Sequence, residues 1–180
     1  AATYYCNFSV FQSAPDVWAI GQLFPVMPIH RLDEEPTLRA TLADITCDSD
    51  GKIDRFIDVD DPKRALEVHE LRPGERYFMA LFLGGAYQEI LGDLHNLFGD
   101  TNAVHVALSG SGYDIRQVIR GDSIAEVLSY LEHDPKAMVE RIRRQVERAR
   151  REGRLSVEQI RLLLRHYEDA LARYTYLSST

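Results

Sequence analysis

The sequence predicts an α+β protein in which a β-rich body is followed by a helical segment. Short apolar or alternating runs, separated by Gly, Pro and Asp turns, fill residues 37–119 and are typical of strands. From residue 123 onward, apolar side chains recur every three or four residues, as on one face of a helix. The composition, 45% hydrophobic and 27% charged, is that of a folded globular protein. We therefore expect a β-rich domain at 1–122 and a helical segment at 123–180.

The first half of the β-rich domain is predicted to contain a short helix and two strands. The helix covers residues 15–24, because one proline suits its first turn and another follows its last residue. The strands are expected at 37–46 and 53–59. Between them, Asp48-Ser49-Asp50-Gly51 has turn chemistry, since Asp bonds its own backbone and Gly supplies a positive φ.

The second half of this domain is predicted to contain two strands, a helix and a hairpin. Alternation indicates a half-buried strand at 66–71, and the apolar run 77–83 indicates a strand buried on both faces. After Gly84-Gly85, the apolar spacing indicates a helix over 88–98. Residues 104–119 are expected to form a β-hairpin across Ser109-Gly110-Ser111-Gly112.

The last third of the chain is predicted to contain three helices. Two capping boxes mark the starts of the first and the last: Ser123 with Glu126, and Ser156 with Gln159. The middle helix runs from Asp134-Pro135 to Gly153. The short link that follows it predicts an antiparallel helical hairpin, in which apolar residues between 157 and 174 form a narrow coiled-coil-like seam.

Composition and charge exclude several classes of protein. The net charge is −7, and residues 1–122 carry 19 acidic and 10 basic side chains, which argues against nucleic-acid binding. The two cysteines form no CxxC pair, which argues against a zinc ribbon. No apolar run approaches the ~18 residues of a membrane span. Because the start at Ala1-Ala2 is neither an initiator Met nor a signal peptide, we expect a piece of a longer cytoplasmic protein.

A thiol and a carboxylate lie next to each other, at Cys47-Asp48, where a predicted strand ends. Strand ends often place side chains in clefts, and a carboxylate there can pair with a cationic ligand through charge-assisted hydrogen bonds. The motif is not a calcium loop, because Thr46 and Ile57 stand where such a loop needs its first acid and its last Glu. The plainer interpretation is a turn Asp beside a buried Cys.

A second candidate is the segment Gly84-Gly85-Ala86-Tyr87, between a buried strand and a helix. Small residues let the backbone approach an anion, and helix N-terminal amides with a Tyr hydroxyl can hold phosphate oxygens. The spacing matches neither common phosphate-loop motif, so the alternative is a tight turn with Tyr87 in the core. The six histidines lack metal-ligand spacing, and no metal site is expected among these residues.

Four segments together resemble the C-terminal region of bacterial biosynthetic arginine decarboxylases. In chain order they are residues 5–13 (YCNFSVFQS), 23–28 (LFPVMP), 44–51 (DITCDSDG) and 85–99 (GAYQEILGDLHNLFG). The resemblance covers nearly the whole chain, and the closing run 174–177 (YTYL) is also similar. The 85–99 run is the most specific. The Cys-Asp pair and the Gly-Ala-Tyr alone indicate only the wider group of ornithine, diaminopimelate and arginine decarboxylases.

The resemblance implies a pyridoxal phosphate enzyme that converts L-arginine to agmatine and carbon dioxide in polyamine (spermidine) biosynthesis. In that group a (β/α)8 barrel holds the cofactor on a lysine. A β-rich, barrel-like C-terminal domain completes the site at the interface of a homo-oligomer. Cys47 would supply or position the proton returned to the α-carbon, and Asp48 would bind the substrate guanidinium. Tyr87, with Gly85 beside it, would contact the cofactor phosphate, and Mg²⁺ is expected as a second cofactor.

One part of that family pattern is missing from the sequence. The three lysines, Lys52, Lys63 and Lys136, match no cofactor-lysine motif, and the (β/α)8 barrel is absent. The chain alone is therefore expected to be inactive and to contribute half of a site. Two alternatives stay open: a binding or regulatory module for a cationic ligand, and a purely structural oligomerisation domain.

Overall fold

The computed structural model describes residues 1–178, and the chain divides into two compact units, Ala1–Asn96 and Leu97–Thr180. Both helices and strands are present, so the predicted α+β class is confirmed. The division predicted between residues 122 and 123 stays a prediction. It falls inside the second unit, where the last strand gives way to helices.

The first unit is built from short elements. In chain order these are β1 (Ala2–Tyr5), α1 (Val10–Ser13), α2 (Pro15–Ala19), β2 (Val26–Pro28), β3 (Leu38–Ala43), β4 (Lys52–Ile53), β5 (Leu66–Val68), β6 (Met79–Leu81) and α3 (Gly85–Ile90). A 3₁₀ turn, His95–Leu97, follows α3.

Strand β3 is the centre of the main sheet in this unit. It pairs in parallel with β1 and antiparallel with both β4 and β5, while β2 and β6 form a separate antiparallel pair. Alternate residues of β3, Ala40 and Leu42, are buried, so one face of the sheet carries the core. That core also contains Tyr4, Val10, Ile53, Phe56, Leu66 and Val68. The end of β3 is thereby fixed, and the candidate loop 44–51 starts from a rigid strand.

The expected barrel-like body is wrong, because residues 1–178 form three separate open sheets and no closed barrel. The strands of the first unit are two to six residues long. Pro28 ends β2, and prolines lack the N–H that would extend a ladder. Strands this short leave no continuous register through which a sheet can close on itself.

Several element boundaries differ from the predictions. The helix expected at 15–24 ends at Ala19, and the strand expected at 53–59 is only Lys52–Ile53. The helix expected at 88–98 starts at Gly85 and stops at Ile90. It stops because Gly92 lies against α1, where an added Cβ would be 2.7 Å from the Gln12 carbonyl oxygen, and the Asp93 N–H binds the Phe11 carbonyl at 2.9 Å.

The second unit combines a hairpin with three helices: β7 (Ala103–Ser109), β8 (Gly112–Ile119), α4 (Ile124–Tyr130), α5 (Pro135–Arg151) and α6 (Val157–Leu171). Both predicted capping boxes are confirmed, at the N-termini of α4 and α6. Helices α5 and α6 pack against each other, and Arg143 pairs with Glu168 at 2.7 Å. Among residues 1–178, none of the helices has both the length and the apolar composition of a membrane span.

The hairpin of β7 and β8 has one wholly apolar face. Directly paired residues share a face of a sheet. The pairs Val104–Val118, Val106–Ile115 and Leu108–Tyr113 therefore lie together, kept in phase by a β-bulge after His105. All six of these side chains are exposed. We call this set the hairpin face.

Candidate active site

Asp44 is the structural centre of the candidate loop. Its side chain is buried, with 2% of the residue exposed. One carboxylate oxygen accepts the Val10 N–H at 2.9 Å, and the other accepts the Thr46 N–H at 2.8 Å and the Thr46 hydroxyl at 2.6 Å. Asp44 therefore ties the loop 44–51 to α1 and closes its first turn.

Gly51 closes the same loop, but for a different reason than the one predicted. Its φ is not positive, so the expected left-handed turn glycine is wrong. A Cβ at this position would lie 2.2 Å from Asp44 Oδ1 and 2.5 Å from Thr46 Oγ1. The loop needs glycine there because two polar side chains occupy the space of a side chain.

Cys47 lies on the outside of this loop and is an exposed residue. Its backbone N–H donates to Asn96 Oδ1 at 3.0 Å, and Asn96 Nδ2 donates to Cys47 Sγ at 3.4 Å. A buried structural cysteine, the plainer interpretation from the sequence, is therefore wrong. The other cysteine, Cys6, is half-buried, and burial raises the pKa of its thiol.

Asp48 uses its two carboxylate oxygens differently. Oδ1 accepts the Asp50 N–H at 2.8 Å, and the Gly51 N–H binds the Asp48 carbonyl at 3.1 Å, so the predicted Asp turn is confirmed. Oδ2 lies 3.4 Å from His95 Nε2, and 35% of the Asp48 side chain is exposed. One oxygen thus shapes the turn, while the other faces His95.

His95 and Asn96 come from the segment that follows α3. The His95 ring packs against Phe11 of α1, with centroids 4.4 Å apart. Asn96 has φ 57° and ψ 20°, a left-handed conformation that Asn tolerates better than most residues. Three segments, 9–12, 44–51 and 92–96, therefore meet and place Cys47 and Asp48 beside an imidazole and an amide. We call this arrangement the Cys-Asp cluster.

Tyr87 and Gly85 lie at the start of α3. Tyr87 is 76% exposed, so the interpretation that placed it in the core is wrong. Gly85 has φ +63° and open space where a Cβ would point, and α3 begins without a side-chain cap. The helix is anchored from its other side by the buried Gln88, whose Oε1 accepts the Asp16 N–H at 3.1 Å. An exposed hydroxyl and uncapped amides are groups that suit phosphate oxygens.

The structure brings Cys47 and Asp48 into one cluster but does not join Tyr87 to it directly. Among residues 1–178, neither Tyr87 nor Gly85 hydrogen-bonds to the Cys-Asp cluster; the connection runs along the chain, from α3 to His95 and Asn96. Within the same residues, no group of three His, Cys, Asp or Glu side chains is arranged to hold a metal ion.

Three residues of this site, Asp44, His95 and Asn96, are not identified by single motifs. Their long-range contacts follow no spacing rule, because Asp44 binds the Val10 N–H 34 residues away and Asn96 contacts Cys47 49 residues away. Asp44 lies inside the 44–51 segment, and His95 and Asn96 lie inside the 85–99 run, so the family resemblance was the available signal.

Comparisons with known proteins agree on one family. Residues 124–177 match the family described as the arginine decarboxylase C-terminal helical extension. The chain is 61% identical to the biosynthetic arginine decarboxylase of Gloeobacter violaceus and 62% identical to that of Nostoc sp., over 99% of this chain in both cases. It spans only 29% and 26% of the length of those two relatives.

A solved structure gives the same result. The crystal structure of the biosynthetic arginine decarboxylase from Campylobacter jejuni is similar with a TM-score of 0.84 and 37% identity. The similarity covers 99% of this chain and 29% of that one. From end to end, the chain therefore belongs with the C-terminal region of the biosynthetic arginine decarboxylase family.

Proposed function

We propose that the chain is the C-terminal part of an enzyme that converts L-arginine to agmatine and carbon dioxide for polyamine (spermidine) synthesis. The observation that carries the proposal is the 61% identity to the Gloeobacter violaceus enzyme along 99% of the chain. That match extends over the loop 44–51 and the segment 85–96, which supply the candidate site. We place the enzyme in the cytoplasm, with neither nucleic acid nor membrane as a partner.

Asp48 is proposed to bind the guanidinium of L-arginine. A carboxylate and a guanidinium can form two parallel charge-assisted hydrogen bonds. In support, the turn uses Oδ1, Oδ2 lies beside His95, and 35% of the Asp48 side chain is exposed. The neighbouring Asp44 is buried and fully used by the loop, so it is the less suitable acid.

Cys47 is proposed to hold the proton that is returned to the substrate. After carbon dioxide leaves, a proton must reach the α-carbon. In this step the S–H bond of Cys47 breaks as the new C–H bond forms, and solvent later restores the thiol proton. The exposure of Cys47 on a loop fixed by Asp44 supports this role.

Tyr87 and Gly85 are proposed to contact the phosphate of pyridoxal phosphate. The exposed Tyr87 hydroxyl and the uncapped start of α3 fit an anion. When bound, this cofactor supplies the electron sink for decarboxylation. The family resemblance also implies Mg²⁺, but the described residues offer no suitable ligand set, so we assign it no residue and no step.

The complete site is proposed to form between subunits of a homo-oligomer. Cys47 and Asp48 would face the cofactor of the partner subunit, whereas Tyr87 would contact the cofactor of its own subunit. The exposure of Cys47, Asp48 and Tyr87 supports this arrangement, because each side chain is available to a surface beyond the first unit.

A second candidate function is a non-catalytic binding or oligomerisation module for a cationic ligand. The exposed hairpin face favours it, because contiguous apolar surface of this kind often marks an interaction site. The helices α5 and α6, which we propose form an antiparallel helical hairpin, would add a further association surface.

The two candidates are separated by activity assays on the chain and on a longer protein. We expect the isolated chain to release no carbon dioxide from arginine and to give no specific lysine label after pyridoxal phosphate and borohydride. Lys52 and Lys63 already pair with Asp54 and Glu67. The chain joined to an arginine decarboxylase barrel should decarboxylate arginine in preference to ornithine and lysine. An inactive longer protein, with its cofactor bound, would favour the binding module.

A further inference from the structure

We propose that Asn96 is a positioning residue of the Cys-Asp cluster and that its side-chain amide holds the thiol of Cys47 for proton delivery. This inference rests on the proposed decarboxylase function. It adds a residue whose effect is exerted through Cys47 and not through direct contact with substrate or cofactor.

One planar group, the side-chain amide of Asn96, binds Cys47 at two points. Asn96 Oδ1 accepts the Cys47 N–H at 3.0 Å, while Asn96 Nδ2 donates to Cys47 Sγ at 3.4 Å. The backbone N–H can only donate, so the amide oxygen must face it and the NH₂ group is left to face the sulfur. An exposed cysteine would otherwise rotate freely about χ1, and this pair of contacts selects one orientation.

Asn96 is itself held in place by its backbone conformation and by its neighbours. Its left-handed backbone, with φ 57°, turns the side chain toward the loop 44–51. The preceding His95 is packed on Phe11 and faces Asp48, and the Asp93 N–H is bound to the Phe11 carbonyl. A proton donor must be held within hydrogen-bond reach of its acceptor, and a small misplacement of a catalytic group is costly.

The two-point contact between Asn96 and Cys47 is tested in the 180-residue chain by hydrogen exchange at the Cys47 amide. Asn96→Gly keeps the left-handed backbone without strain but removes both contacts. It should speed exchange about 3- to 10-fold, as expected for loss of one such hydrogen bond. Asn96→Asp retains an acceptor oxygen for the Cys47 N–H and should preserve the protection. If amide exchange at Cys47 is unchanged in Asn96→Gly, and the circular dichroism spectrum is also unchanged, then Asn96 does not hold Cys47.

The catalytic consequence is tested in the longer enzyme by a double-mutant cycle. Asn96→Gly should lower kcat for arginine by about 10- to 100-fold, the scale of effect that misplacing a reacting group produces. The KM for arginine should change little. The Cys47→Ala/Asn96→Gly pair should be no slower than Cys47→Ala alone, because Asn96 acts through the thiol.

Two further results decide the outcome. Asn102→Gly is the matched control, since Asn102 Oδ1 also accepts a backbone N–H, from Gly121 at 2.9 Å, in the second unit; it should leave kcat unchanged. If the fold-loss of kcat in the double variant equals the product of the losses in the two single variants, the inference is overturned, because Asn96 would then act independently of Cys47. If the wild-type longer protein shows no decarboxylation, the proposed function fails instead, while the exchange measurement still decides whether Asn96 holds Cys47.

Discussion

The two carboxylate oxygens of Asp48 have different surroundings, and the proposed function gives this side chain a chemical role beside its structural one. Its Oδ1 builds the turn with the Asp50 N–H, and its Oδ2 faces His95. Alanine at this position would therefore confuse two effects, because it removes both the turn acceptor and the charge. A substitution that keeps the shape but removes the charge separates them.

In the longer enzyme, Asp48→Asn should lower kcat/KM for arginine while the fold is retained. The amide oxygen can still accept the Asp50 N–H, so the melting temperature should change little. Loss of a charge-assisted contact to the guanidinium should cost ~2–5 kcal/mol of transition-state binding. Steady-state kinetics and a thermal melt measure the two effects. Asp50→Asn, on the same turn, is the control; equal losses in both variants would contradict the assignment of Asp48.

The site residues could be predicted only as far as their chemistry is local. Cys47 and Asp48 are neighbours in sequence at the end of a strand, and the Asp turn follows from short-range hydrogen bonds. Asn96 could not be paired with Cys47, because the contact depends on the position of the segment after α3. Gly51 was singled out for the wrong reason, since its requirement arises from the buried Asp44 and not from the local backbone.

At the scale of elements, helix α6 buries one side and exposes the other. Ile160 is 7% exposed, whereas Leu162, two residues further on, is 54% exposed. The apolar seam predicted between 157 and 174 is therefore covered unevenly, since Val157 at its start is also exposed. Ile160 and Leu162 therefore form a matched pair of apolar residues, one buried and one exposed, on opposite sides of the helix.

Ile160→Ala should destabilise the second unit by ~2–5 kcal/mol, the usual cost of truncating a buried aliphatic side chain. Leu162→Ala removes similar volume from an exposed position and should change the free energy of unfolding by less than ~0.5 kcal/mol. Urea denaturation of both variants, followed by circular dichroism, measures the difference. Equal destabilisation would show that Leu162 is covered in solution.

The capping box of α4 makes a prediction about pH. Hydrogen bonds from Ser123 hold the pKa of Glu126 below its ordinary range. A folded-state pKa that is depressed contributes stability above the unfolded value of ~4.3, and this contribution is lost as pH falls through the folded value. Glu126→Gln keeps an acceptor but does not titrate there. Its melting temperature should therefore fall less than that of the wild type between neutral and acid pH; parallel curves would contradict this.

Elements could be predicted best where the signal lies within one turn of chain. Both capping boxes and the hairpin loop were located, because their hydrogen bonds join residues three or four apart. The short strands β1 and β2 could not be predicted, and β4 only at Ile53, because these strands are defined by their pairing partners and not by their own residues. The end of α3 depends in the same way on close contact between Gly92 and α1.

At the scale of the whole molecule, the proposed shared site predicts complementation between defective subunits. A Cys47→Ala enzyme should turn over arginine much more slowly than the wild type, and an enzyme lacking the cofactor lysine should be inactive. When their subunits exchange, one site in a mixed dimer regains both a lysine and a thiol, so part of the activity should return. Assaying the mixture after demonstrated subunit exchange measures this. If the mixture is no more active than the two variants assayed separately, the shared site is contradicted, while the family membership is unaffected.

The hairpin face also affects how the chain would behave when produced alone. In the described part of the chain, β7 and β8 pair only with each other, so both outer edges of this ribbon offer backbone groups to any passing strand. Open edges combined with an apolar surface are the features through which β-ribbons add further strands and aggregate. Aggregation of the isolated chain should therefore increase steeply with concentration, and recombinant material would benefit from a fusion partner that shields this ribbon.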